Sequence, residues 1–319
     1  MDGWGKAGWQ PVMMSVMPVY LLIVLGALLR RAGVVRREHD NGVMHMVFHV
    51  MYPCFILDKM LGNEVVRSVP VVAWGISLGI GLAVAGIGIG WLVGKGLGFG
   101  HGTGLRTFAL SSGVQNFGYT AIPVIVVLWP ARQGVLAVLF VHNLGVELAI
   151  WTLGVMLMSG SGKVPWRQLV NGPVFAVVSG LFLVATGWDQ YVAGPLRAMM
   201  GMLGAGAFPV GILLIGAVIM DLAAAERPSL RVAAGGSVVR LLLVPAVILL
   251  AAKMLPLIDE MRRVLVVQAA MPAAMTPILL AKLYGGRPAV AVQIVVATTV
   301  LTLLTLPLII AFGVRWIGL

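Results

Sequence analysis

Two stretches of the chain place polar side chains and helix-breaking residues inside otherwise apolar sequence. The first reads Leu110-Ser-Ser-Gly-Val-Gln115-Asn116-Phe-Gly118-Tyr119-Thr120-Ala-Ile-Pro123, and the second reads Gln268-Ala-Ala-Met-Pro272-Ala273-Ala-Met-Thr276-Pro277. Gly113, Gly118 and Pro123 each weaken a helix, and a helix carrying both Pro272 and Pro277 is not expected to be continuous. Ser111, Ser112, Gln115, Asn116 and Thr120 add groups that hydrocarbon rejects, so this segment is expected to face protein or water. Thr276 followed by Pro277 matches a helix N-cap followed by proline at the first helical position, so a half-helix is expected to restart there. Thr120 or a neighbour would do the same near Pro123. Two such N-termini, meeting near the middle of a bilayer, would present free N–H groups and about half a positive charge each. That is a place for an anion, above all a carboxylate. The bland alternative is a pair of proline kinks whose freed carbonyls are satisfied by Ser, Thr or water. Two interruptions at matching places favour the binding site.

Ionisable residues inside apolar runs come next, because each is costly there. Glu147 is the one acid deep inside such a run; it reads either as a proton-coupling group or as a structural acid bonded to a neighbouring helix. Arg240 reads as its partner, as a charge for an anionic ligand, or as a side chain reaching back to the interface. Asp58, beside Lys59 at the end of its run, reads as an interfacial residue or a gate. His45 and His49 are one helical turn apart but lack the Glu of a zinc-hydrolase motif, so they read as packing histidines. Ser111 and Ser112 have no adjacent base, and Gly86-Ile-Gly88-Ile-Gly90 follows no strand, so it reads as helix packing rather than nucleotide binding. No catalytic constellation, metal set or cofactor motif is found, so an enzyme is not expected.

The elements that must position these residues follow from composition. Of 319 residues, 60% are hydrophobic and 10% charged, against about 25% charged in a soluble domain. The class is an all-α integral membrane protein. Apolar stretches fall at 12–29, 43–61, 71–94, 106–129, 134–158, 170–187, 196–220, 232–255, 264–283 and 288–312, which predicts ten crossings at roughly 20 residues each. The first is expected to be a retained helix rather than a cleaved signal, since no small-residue cleavage site follows it. Lys and Arg number twelve in the loops of one side (Lys163, Arg167 and Arg227 among them) and nine on the other, which puts both termini outside the cytoplasmic membrane. Trp4, Trp9, Trp91, Trp129, Trp166, Trp188 and Trp316 lie near span ends as interface anchors. The surplus of basic residues is read as membrane orientation, not nucleic-acid binding. The single Cys54 excludes an internal disulfide framework.

Pro53 and Pro209 are 156 residues apart, Pro123 and Pro277 are 154 apart, and each pair is separated by five spans. This predicts two five-helix repeats, 1–158 and 159–319, inverted relative to one another because five is odd.

The run Gln115-Asn116-Phe117-Gly118-Tyr119-Thr120-Ala121-Ile122-Pro123 resembles the Asn-x-Gly-x-x-x-x-Pro motif of the auxin efflux carrier family, bacterial relatives of the plant PIN carriers. Val19 to Arg31, the run from Pro53, Pro209 to Gly216 and Met271 to Gly285 are similar to other spans of that family, in order. The resemblance implies a scaffold and a transport unit each drawn from both halves, with spans 4 and 9 crossing as broken helices. It also implies alternating-access transport of an organic anion such as an auxin-like weak acid or a dicarboxylate, and a homodimer. Many relatives have Asn where this chain has Thr276. The substrate ligands expected here are Gln115, Asn116, Gly118, Tyr119, Pro123, Pro272, Ala273, Thr276 and Pro277, with Glu147, Arg240 and Asp58 for coupling or gating. Membrane lipid is the only other partner expected. The rival is a cation exchanger or a bile-acid-like sodium symporter, against which stands the lack of Asp or Glu in either broken stretch.

Overall fold

A computed structural model describes residues 9–100, 102–118, 120–160, 171–225 and 229–319. Tyr119, Trp4, Lys163, Trp166, Arg167 and Arg227, named above, lie outside the described residues. The protein is all-helical, with no strand among the described residues. In chain order the helices are α1 (Trp9–Arg31), α2 (Arg37–Met46), α3 (Tyr52–Met60), α4 (Val69–Gly96), α5 (Leu105–Gly113), α6 (Ala121–Leu128), α7 (Gln133–Ala149) and α8 (Val155–Ser159). They continue with α9 (Gly172–Thr186), α10 (Pro195–Ala225), α11 (Leu230–Val238), α12 (Val244–Met254), α13 (Asp259–Ala270), α14 (Thr276–Leu283) and α15 (Pro288–Ile317).

Among the described residues six runs are long and apolar enough to cross a membrane: Val12–Arg31, Val69–Gly96, Gln133–Ser159, Pro195–Asp221, Leu230–Met254 and Pro288–Ile317. The other four expected stretches take different forms for visible reasons. Two are interrupted, between α5 and α6 and between α13 and α14. A third is α9, only 15 residues long. The fourth starts on charged sequence, Arg37, Glu38 and Asp40, and passes through a π-helical turn at Val47–Met51 before α3. A π-turn at Val239–Leu243 likewise joins α11 to α12. Each of these two turns is followed within two residues by a proline, Pro53 or Pro245. The wider turn relieves the clash between the proline ring and the carbonyl four residues back.

The helices pack as two sets. One contains α1, α3, α9 and α10: α1 lies on α10, α10 on α3, and α3 on α9. In the other, α4 lies on α5 and α7, α13 on α7, α12 and α15, and α15 on α5 and α11. Glycine sets the closeness within each. A Cβ at Gly79 would sit 2.2 Å from the His142 carbonyl oxygen, and one at Gly86 2.2 Å from that of Gly113. In the first set a Cβ at Gly26 would sit 2.0 Å from the Leu213 oxygen and one at Gly216 2.0 Å from that of Ile23. Gly86 and Gly90 therefore pack helices, as expected, whereas Gly88 between them faces open space and does not; backbone against backbone is how helices associate where lipid removes the hydrophobic drive. Between the sets α1 lies on α15 and α6, the Tyr20 hydroxyl donates to the Thr302 carbonyl at 2.8 Å, and the rings of Phe55 on α3 and Phe140 on α7 meet edge to face at 6.1 Å.

Trp129, expected as an interface anchor, is instead only 6% exposed and lies under the guanidinium of Arg263 at 5.2 Å. His45 and His49 stack on one another, their ring centroids 4.0 Å apart.

Candidate functional site

The two interrupted helices meet at their gaps. After Gly113 and after Ala270 the chain turns extended, Val114 at φ −100°, ψ 129° and Met271 at φ −72°, ψ 145°. The extended pieces run antiparallel: Asn116 N–H donates to the Pro272 carbonyl at 2.8 Å, Ala274 N–H donates to that of Val114 at 3.0 Å, and Gln115 faces Ala273. These bonds satisfy backbone groups that a break inside a membrane would otherwise leave bare. The Ala273 N–H donates to Thr298 Oγ1 on α15 at 3.1 Å.

Three side-chain bonds brace the crossing from behind. Asn143 Nδ2 donates to the Phe117 carbonyl at 2.9 Å, Gln268 Nε2 donates to the same carbonyl at 3.2 Å, and Gln268 Nε2 also reaches Asn143 Oδ1 at 3.0 Å. Phe117 is thus the point where α7 and α13 grip the first gap.

The restarting half-helices begin near the expected residues, with one correction. Thr120 is the N-cap of α6, but the N-cap of α14 is Met275, so Thr276 and Pro277 are its first two residues. Neither cap residue uses a side chain to accept a backbone N–H. Met275 already has helical angles, φ −82° and ψ −24°, so the chain enters the helix one residue before the threonine.

A narrow cavity of about 40 Å³ lies beside the first gap. Phe117 and Gly118 from the gap, and Phe140, Asn143, Leu144 and Glu147 from α7, form one wall. Tyr52 and Ile56 from α3, with Pro173, Val174 and Val177 from the start of α9, form the other. The pocket therefore sits between the two packing sets. Its lining is mostly apolar, with Tyr52, Asn143 and Glu147 as its polar side chains, and in this conformation it is narrower than a small-molecule pocket. Because α9 begins at this wall, its N-terminal end faces the pocket region and favours negative charge. Asn171 caps that end, its Oδ1 accepting from Val174 N–H at 3.0 Å.

Of the residues singled out in the sequence, Gly118 and Glu147 come together in this pocket. Asn116 and Pro272 meet through the backbone at the crossing, where Gln115 and Ala273 face each other. Gln115 is 1% exposed and neither amide atom has a partner. Pro123 is buried in α6, while Thr276 and Pro277 open α14; none of the three lines the pocket. Glu147 is not paired with Arg240: its carboxylate accepts from Trp151 Nε1 at 2.7 Å, one turn away on its own helix. Arg240 is fully buried, so it does not reach back to the interface. Asp58 bonds Lys59 at 2.8 Å and Arg197 at 3.1 Å, tying α3 to α10 inside one packing set. Asn143, Gln268, Phe117 and Tyr52 were not assigned a role from sequence. Asn143 carried a usable signal, since it precedes Glu147 by four residues and shares its helix face.

The family model described as membrane transport protein matches residues 11–164 and 161–310. An uncharacterized transporter of Methanothermobacter thermautotrophicus is 24% identical over 303 residues, covering 92% of this chain and 96% of that protein. With an all-helical body, six runs able to span a membrane and a family match over nearly its whole length, the chain belongs to the membrane transport proteins of the auxin efflux carrier family.

Proposed function

We propose that this protein is a secondary carrier that moves an organic anion across the cytoplasmic membrane by alternating access. In this reading the chain crosses ten times, in two inverted repeats of residues 1–158 and 159–319, with both termini outside. The set of α1, α3, α9 and α10 is the scaffold, and the rest is the transport unit. The observation that carries the proposal is the pair of interrupted helices bonded back to back at their gaps, beside a pocket walled by both packing sets. Breaks that line a cavity are tolerated in lipid and serve carriers as ligand sites.

The substrate carboxylate binds beside Gly118, close to Asn143, Asn116 and the unpartnered amide of Gln115. Glu147 shares that pocket. Two carboxylates in one apolar space repel, so the bound state carries a proton between them, and anion and proton move together. Pro272, Ala273, Thr276 and Pro277 form the second side of the crossing.

The test is uptake of labelled mono- and dicarboxylates into proteoliposomes, with and without an imposed proton gradient, for wild type and Asn116→Ala. Saturable uptake of at least one acid, reduced about tenfold or more by the substitution, is expected; a loss of that size corresponds to about 1.4 kcal/mol. Equal flux in both proteins would remove the crossing as the binding site, and sodium-for-proton exchange with no acid uptake would replace the carrier reading with a cation exchanger.

A further inference from the structure

Arg240 stands out once the pocket is accounted for. It is 0% exposed, in the π-turn Val239–Leu243, which packs on α4, α5 and α15. Its Nη1 donates to the Gly113 carbonyl at 3.4 Å, and its Nε and Nη2 have no partner. Its only partner among the described residues is that carbonyl, not an acid, and Glu147 is engaged with Trp151. A buried guanidinium without a carboxylate is costly unless something else supplies negative potential.

The source on the page is the end of α5. Gly113 is its last residue, and the final carbonyls of a helix lack partners within it and together carry about half a negative charge. Gly86 backs this carbonyl so closely that a side chain there would occupy the oxygen's place, 2.2 Å from a Cβ. The carbonyl is therefore enclosed by the backbone of α4 on one side and reached by the guanidinium of Arg240. In carriers built from broken helices, C-terminal ends of half-helices are where coupling cations are coordinated.

We propose that Arg240 is a resident cation: it takes the electrostatic role of a coupling sodium ion at the carbonyl end of α5, and so makes the transport cycle independent of sodium. The proposal rests on the carrier reading for its meaning, but the occupancy it describes does not. An arginine stays charged throughout and cannot leave, so the half-helix end is neutralised in every conformation. Removing the guanidinium leaves a partly negative, cation-sized vacancy that a free monovalent cation fills.

The experiment measures thermal unfolding of the purified full chain in detergent, for wild type, Arg240→Gln and Arg240→Lys. Each is compared in N-methylglucamine chloride, sodium chloride and guanidinium chloride at equal, non-denaturing concentration. Arg240→Gln is expected to gain about 3 °C or more from sodium or guanidinium, and the two charged proteins less than about 1 °C. An Arg240→Gln protein blind to both cations, or a wild type stabilised by sodium as much as the variant, overturns the proposal. Should Arg240→Gln fail to fold, wild type and Arg240→Lys decide it alone: sodium stabilisation of either by about 3 °C refutes it, and indifference of both supports it. A tenfold weaker acid affinity in Arg240→Gln with no cation response would make Arg240 a substrate ligand instead. Because the unfolding midpoint reads cation binding without any transported acid, absence of acid uptake would sink the proposed function and leave this result standing.

Discussion

Replacing Asn143 with Leu tests the brace behind the first gap. Leucine is close in size, so the change removes polar bonds more than volume. It deletes the 2.9 Å bond to the Phe117 carbonyl and the 3.0 Å bond from Gln268, leaving Gln268 with its 3.2 Å contact to Phe117 alone. At about 0.5–1.5 kcal/mol for each bond lost, the expected destabilisation is about 1–3 kcal/mol. Gln268→Met likewise deletes two bonds, one of them the shared Gln268–Asn143 bond, so its cost has the same range. The double variant loses three bonds rather than four. Its cost therefore falls short of the sum of the single changes by about 1 kcal/mol, the coupling expected of residues in one network. Reversible denaturation of the four proteins in mixed detergent and lipid micelles measures this directly. Additivity within about 0.3 kcal/mol would show that the three groups do not act together and would refute the account of how Phe117 is positioned.

Glycine substitutions along α4 should split into two classes. Gly86→Ala is expected to cost about 1–3 kcal/mol because the new methyl meets a backbone carbonyl, whereas Gly88→Ala, with nothing within 4 Å, is expected to gain about 0.5–1 kcal/mol; unfolding midpoints compare them. Asp189, 5% exposed, accepts from Gly62 N–H at 3.0 Å and Arg67 at 3.3 Å, so Asp189→Ala should destabilise by about 1–3 kcal/mol. Arg67→Ala should cost under about 1 kcal/mol, since its side chain is 44% exposed and solvent screens the pair; chemical denaturation distinguishes the two. Glu147→Gln keeps an acceptor for Trp151 and should preserve the fold, yet an imposed proton gradient should no longer accelerate acid uptake in liposomes. Undiminished acceleration would remove Glu147 from proton coupling.

The gaps are legible in sequence because their cause is local. Proline lacks an N–H and glycine lacks a side chain, so Gly113 and Pro272 mark the breaks whatever surrounds them. The pairing of the gaps is not local: the bond from Asn116 to Pro272 joins residues far apart in the chain, and the motif lists only what each stretch contributes. The N-cap of α14 illustrates the same limit at short range. Thr276 looks like a cap by residue type, but Met275 is already helical, which residue preference alone does not fix. The pocket was half legible. Glu147 is conspicuous as an acid in an apolar run, and Gly118 stands inside the motif. Tyr52, Ile56 and Val174 look like ordinary core residues until α3 and α9 are set against α7. Arg240 was visible as a charge, but its setting against the end of α5 depends on three helices converging on one carbonyl.

The glycine contacts bear on which parts can slide. Gly26 on Leu213, Gly216 on Ile23, Gly79 on His142 and Gly86 on Gly113 all fall inside one bundle or the other, where main chains interlock with no flexible groups between them. At the border, by contrast, Gly118 meets only the phenol oxygen of Tyr52 and Phe55 meets Phe140 ring to edge. Interlocked main chains resist shear, while rings and phenols change neighbours by turning about single bonds. On the carrier reading proposed above, a glide of one bundle past the other along the seam that holds the pocket would spare these interlocked main chains and break side-chain contacts, the Tyr20–Thr302 bond among them.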